Sequence, residues 1–263
     1  MAPEESAAEP TNSMRWCGCG AGSRDTALWR VCAAEAAGAA LLVLLTCLAS
    51  CGPVAAADPF YRAVASGLVV TVLVQSLDHI SGAHMNPTVT LAAVVWRRVS
   101  RRRGLAMAGA QLGGAVLGGA ALHALRPPAA ALCATLPAAQ LGLGKAVLIE
   151  AALGGCLALV NCASWDARNE GLRDSWPLRI GISVAALSLV GGELTGASMN
   201  PARSLAPALW SGNWAHHWVY WAGPLGGSLA CSALYVAVWR PRAPAPAPAA
   251  AAAPAPAKTS PCV

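Results

Sequence analysis

Charge is scarce in this chain. Asp, Glu, Lys and Arg make up 11% of 263 residues, against about 25% in a soluble domain. Hydrophobic residues make up 56%, with 26 Gly. That balance excludes a soluble enzyme and indicates a polytopic membrane protein. No nucleophile, base and orienter arrangement occurs, and no phosphate loop or metal-ligand cluster, so neither catalysis nor a cofactor is expected. The start MAPEESAAEP is acidic, unlike a cleavable leader. Ten Cys are present, but most (Cys32, Cys47, Cys156, Cys162, Cys231) lie in apolar runs, where cysteine behaves as a small hydrophobe. Their spacing predicts no metal site and no disulfide framework. Cys17 and Cys19 are either palmitoylation sites or free thiols in a tail. The net charge of +6 would suit nucleic acid, but the placement of the arginines argues against it.

What the chain does have is one stretch twice. ISGAHMNPTVTL, residues 80–91, returns as LTGASMNPARSL, 114 positions later. Asn86 and Asn200 are good helix caps, and Pro87 and Pro201 stand where proline best opens a helix. Each following apolar stretch is long enough for only about ten helical residues, where a bilayer span needs about 20.

Six longer apolar spans surround these stretches, at about 31–52, 61–77, 104–125, 143–164, 177–192 and 218–239. Glu35 precedes Asn86 by 51 positions and Glu150 precedes Asn200 by 50, so the repeat covers whole halves. Three spans per half is odd, so the halves are inverted. The expected fold is all-α: six transmembrane helices and two re-entrant half-helices whose N-termini meet at the midplane. The expected division is a disordered tail over 1–26, a channel domain over 27–240 with halves at 27–126 and 143–240, and a Pro/Ala-rich tail over 241–263.

Arg97, Arg98, Arg101, Arg102 and Arg103 crowd one loop; Arg168, Arg173, Arg240 and Arg242 fall in loops of the same side. The positive-inside rule then makes both termini cytoplasmic. The alternative for the Arg run is a lipid or nucleic-acid patch. Arg203 stands in the first turn of the second short helix, where the dipole disfavours a cation. At membrane depth it costs roughly 2.5–3.5 kcal/mol. It either lines a polar passage or is satisfied by loop carbonyls. Glu35 and Glu150 either accept the N–H groups of the re-entrant loops or form a proton relay. GxxxG at Gly109/Gly113 and Gly114/Gly118 predicts close helix packing. His216-His217 reads as a membrane-surface pair. Arg97-Arg98-Val99-Ser100 gives Ser100 a basic kinase-type context, with topology as the alternative role of those arginines.

Six spans, an inverted repeat and SGAHMNP answered by TGASMNPAR resemble the aquaporin (major intrinsic protein) family over about residues 27–240. The family's paired motif is Asn-Pro-Ala. Asn200-Pro201-Ala202 matches it; Asn86-Pro87-Thr88 departs from it and is expected to add a hydroxyl near the pore centre. The resemblance implies a homotetramer in the plasma membrane, one pore per subunit, and a filter of four residues: Ser66, Ser188, Ala197 and Arg203. Water-selective members usually have Phe, His, a small residue and Arg there. Ser at both bulky places resembles the insect aquaglyceroporins (entomoglyceroporins). The Asp that follows the Arg in vertebrate and bacterial glycerol facilitators is Ser204 here.

The resemblance implies passive flow of water, glycerol and urea, with protons and cations excluded by two Asn amides and two helix dipoles of roughly +0.5 charge each. Carbonyls of Gly82, Ala83 and His84, and of Gly196, Ala197 and Ser198, are expected to form an acceptor ladder, with His84 also at the cytoplasmic mouth. Many water-selective relatives carry a mercury-reactive Cys where Ala197 stands. The alternatives are a strictly water-selective channel, a membrane junction or structural protein on the same fold, and an ion channel. Lipid is the expected surrounding partner, and nucleic acid is not expected.

Overall fold

The structure, a computed structural model, describes residues 26–52, 58–126 and 133–241. Both tails lie outside these residues except at their innermost positions, and Cys17, Cys19 and Arg242 lie outside with them. In chain order the helices are α1 Leu28–Ala49, α2 Pro59–Ser81, α3 Pro87–Val95, α4 Arg101–Leu125, α5 Leu143–Trp165, α6 Trp176–Thr195, α7 Pro201–Ser211 and α8 Val219–Leu234. A short 3-10 turn, Ala167–Leu172, separates α5 from α6, and α8 continues as a π-type stretch, Tyr235–Trp239. Six of these helices are long and apolar enough to cross a membrane. The short α3, with nine residues, reaches about 14 Å, half of a ~30 Å hydrocarbon core. The described residues contain no strand.

Local chemistry sets the helix ends. The Asp58 carboxylate accepts from Phe60 N–H and Pro59 opens α2. Ser100 Oγ accepts from Arg103 N–H at 3.3 Å. That cap starts α4 at Arg101, three residues before the Gly104 expected from hydropathy. Arg101, Arg102 and Arg103 are therefore a helical turn and not a loop.

Three tight pairings hold the bundle: α1 on α4, its repeat equivalent α5 on α8, and α2 on α6 across the two halves. Glycine allows each approach. A Cβ on Gly118 would strike the Ala40 carbonyl, and one on Gly227 the Ala151 carbonyl. Only half of the expected GxxxG packing occurs within the chain: Gly114 and Gly118 meet α1, while Gly109 and Gly113 face no neighbour among the described residues. The short helices cross over, α3 packing on α8 and α7 on α4, so each half-helix rests on the other half. The last helix ends on the face that carries the Arg run. There Arg240 Nη1 donates to Trp96 O at 2.9 Å and Arg168 Nη2 to Trp239 O at 2.7 Å.

Candidate functional site

α2 and α6 stop at Gly82 (φ 90°) and Gly196 (φ 84°), left-handed positions suited to glycine. The loops that follow hold non-glycine residues in the same region: Ala83 and Met85 at φ 44° and 50°, Ala197 and Met199 at 42° and 54°. Such residues cost on the order of 1–3 kcal/mol each, so the surroundings must hold them. A buried carboxylate does so in each half. Glu35, fully buried, accepts from Ser81 Oγ (2.6 Å), His84 N (3.0 Å), Met85 N (2.6 Å) and Gln111 Nε2 (2.7 Å). Glu150, also fully buried, accepts from Thr195 Oγ1 (2.8 Å), Ser198 N (2.9 Å) and Met199 N (2.9 Å). With their N–H groups held by the carboxylates, both loops line one cavity.

The two asparagines join the halves. Asn86 Oδ1 caps α3 through Thr88 N–H at 2.8 Å, and Asn200 Oδ1 caps α7 through Ala202 and Arg203 N–H at 3.0 and 3.3 Å. Their amides then cross: Asn86 Nδ2 donates to Met199 O at 2.9 Å, and Asn200 Nδ2 to Met85 O at 3.0 Å. Each Nδ2 carries two hydrogens, so one is left to meet an oxygen in the cavity. The N-termini of α3 and α7 abut there.

The cavity has a volume of about 570 Å³. Ser66, Ser188, Ala197 and Arg203 all line it, as do Gly82, Ala83, His84, Gly196 and Ser198 of the two loops. Ser66 Oγ donates back to Arg62 O at 2.9 Å, so toward the cavity it offers lone pairs. Arg203 both lines the passage and donates to a loop carbonyl, Cys133 O, at 3.2 Å; the two roles set apart in the sequence coexist. His84 Nδ1 lies 3.1 Å from Thr90 Oγ1, and its ring centroid 6.1 Å from that of Trp165.

Pro87, Pro201 and Ala202 are buried at the starts of the short helices. Thr88 departs from expectation. It is fully buried and does not line the cavity, and its Oγ1 has no hydrogen-bond partner. Its backbone carbonyl accepts from Ser228 Oγ of α8 at 2.8 Å. The hydroxyl is thus inside the protein and not at the pore centre. Ser100 is exposed.

A second correction concerns cysteine. Cys47 and Cys133 form a disulfide, where the apolar setting of Cys47 predicted none. Partners 86 residues apart in sequence give no spacing signal. Gln111, the sole amide in α4, was missed as a support; it bridges Glu35 and Thr90. A lone amide in an apolar span is a signal that could have found it. Tyr220, whose hydroxyl donates to Thr195 O at 2.7 Å, and Thr135, whose Oγ1 donates to Ser204 Oγ at 2.7 Å, carried no such signal.

Outside the spans, Asp166 accepts from Arg168 Nη2 at 2.6 Å and Nε at 2.9 Å, and caps the 3-10 turn. The Arg168 hydrogen bonds pull its carboxyl down to about 2, although burial opposes this. His217 accepts from Trp221 Nε1 at 3.0 Å, and burial lowers its pKa. Among the described residues no group of His, Cys, Asp and Glu is placed to hold a metal.

Comparison with known proteins agrees with this geometry. Residues 23–235 match the family model described as major intrinsic protein. The lens fiber major intrinsic protein of Gallus gallus is 39% identical over 228 residues, covering 84% of this chain and 85% of that protein. Aquaporin-2 of Bos taurus is 41% identical over 183 residues, covering 69% and 68%. The X-ray structure of the aquaglyceroporin from Plasmodium falciparum matches with a TM-score of 0.67 at 21% identity, over 81% of this chain and 97% of that one, which is likeness of fold. The inverted halves, the crossed asparagines and the cavity along them therefore belong to a member of the major intrinsic protein (aquaporin) family, a multi-pass membrane channel for water and small solutes and not an enzyme.

Proposed function

We propose that this channel passes glycerol and urea as well as water, and excludes protons and cations. One observation carries the solute reading. The four positions that the family resemblance implies as a filter, Ser66, Ser188, Ala197 and Arg203, all line the cavity and carry no bulky ring. Small side chains leave width for a three-carbon solute. The serine oxygens and the Arg203 guanidinium supply acceptors and donors for its hydroxyls.

Exclusion of cations is supported by the abutting N-termini of α3 and α7, each bearing roughly half a positive charge in a desolvated setting. A neutral solute meets no such barrier; it exchanges water for the loop carbonyls and the free Asn86 and Asn200 hydrogens. We further propose a homotetramer in the plasma membrane with both termini cytoplasmic, supported by the gathering of Arg97–Arg103, Arg168 and Arg240 on one face.

Parallel swelling of proteoliposomes in water, glycerol and urea tests the reading. Flux of all three with no conductance is expected. Ser188→His narrows the filter and suppresses glycerol several-fold more than water. Water flux without glycerol or urea flux, from wild-type protein counted in the same vesicles, overturns the solute reading.

A further inference from the structure

Arg203 rests on one residue of the loop before α5. Its Nη1 donates to Cys133 O and its Nη2 to Cys133 Sγ, both at 3.2 Å. Cys133 is itself an unusual support. Its φ is 54°, a left-handed conformation that a non-glycine residue holds only when its surroundings impose it. Downstream, ties among the described residues include Thr135 Oγ1 to Ser204 Oγ at 2.7 Å and Ala138 N–H to Leu194 O at 2.8 Å. Neither tie sets the Cys133 peptide itself. The disulfide to Cys47 does.

Cys47 is fully buried in the last turn of α1, in a cluster with Val43, Ala115 and Ala206 that joins α1 to α4 and α7. The path thus runs from a rigid helical wall, through one covalent bond, to the carbonyl and sulfur that hold the filter cation. Cys133 also lines the cavity, so a small reductant reaches the bond from the passage.

We propose that the Cys47–Cys133 disulfide is a positioning element for Arg203, holding the guanidinium against the wall and so keeping the filter open. When the bond is broken, the Cys133 peptide loses its covalent tie to α1 and its strained conformation relaxes. The guanidinium then loses both acceptors together, and the cavity that Arg203 lines is open to it. It swings inward and narrows the filter.

The first arm of the test is reduction of folded wild-type channels. One dithiothreitol gives two electrons and two protons to the sulfurs, leaving two thiols and its own cyclic disulfide. Conversion is counted by thiol alkylation and mass. Water flux per channel is expected to fall at least twofold on reduction, and glycerol flux, which rests on the proposed solute reading, to fall further. Cys47→Ser/Cys133→Ser behaves as the reduced protein. In Arg203→Val reduction changes neither flux, because no guanidinium remains to move. Water flux unchanged by full reduction overturns the proposal. So does an equal fall in Arg203→Val, which marks the bond as general support. Absence of glycerol flux before reduction defeats only the solute reading, since the water comparison still decides.

Discussion

Glu35→Gln keeps the shape of the side chain that holds the first loop and changes only its hydrogen bonds. The carboxylate accepts four: Ser81 Oγ and His84 N on Oε1, Met85 N and Gln111 Nε2 on Oε2. An amide has one acceptor oxygen. If its NH2 takes the Oε1 place, the Ser81 hydroxyl can turn to accept, but the His84 N–H faces a donor. If NH2 takes the Oε2 place, Gln111 can flip and present its Oε1, which has no partner, but the Met85 N–H is then unmet. Either way one buried loop N–H is orphaned, at about 1–3 kcal/mol. The surviving bonds lose charge assistance, about 1 kcal/mol each. The sum is about 3–6 kcal/mol, a large part of a typical 5–15. Thermal unfolding followed by the fluorescence of the ten Trp should show a midpoint lower by roughly 10 °C or more. Water flux per surviving channel should fall too, because His84 and Met85 line the passage. A variant as stable and as permeable as wild type would refute the assignment of Glu35 as loop support. Flux unchanged except in its pH dependence would favour the proton relay instead.

Thr88→Ala removes a buried hydroxyl that has no partner; flux should change by less than twofold and thermal stability should not fall, as scanning fluorimetry would show. Ala197→Cys places a thiol on the passage wall, so mercurial block should appear in the variant and be weak in wild type, where Cys47 and Cys133 are already oxidised. The depressed Asp166 carboxyl, at about 2, stabilises the ionised clamp on Arg168 fully above about pH 4, the ordinary Asp value. That contribution is lost as pH falls through about 2, so Asp166→Asn should be less stable at neutral pH and show a shallower acid loss between pH 4 and 2. Phosphate at Ser100 would sit at the N-terminus of α4 beside Arg101–Arg103; Ser100→Asp and Ser100→Ala should differ in flux per surface channel, and equal values with no phosphate found leave the arginines a topological role.

Sequence alone determined much here because the physics of the bilayer leaves few solutions. A span of about 20 apolar residues becomes a helix since lipid offers no other partner to its backbone. Two Asn-Pro starts with too little apolar chain to cross must be half-helices, and an odd span count per half must invert one half. Glu35 and Glu150 at matching distances from Asn86 and Asn200 point to a shared role before any contact is seen, because a buried carboxylate needs several donors. The remainder depended on tertiary structure for a reason of the same kind. Burial of the Thr88 hydroxyl away from the cavity follows from how α3 packs in the bundle, and nothing in residues 86–90 encodes that. The pairing of Cys47 with Cys133 and the seat of Arg203 on Cys133 join residues brought together only when α1, α7 and the loop before α5 close around one passage. Hydropathy reads each segment against lipid; it carries no information on which segment stands behind Arg203.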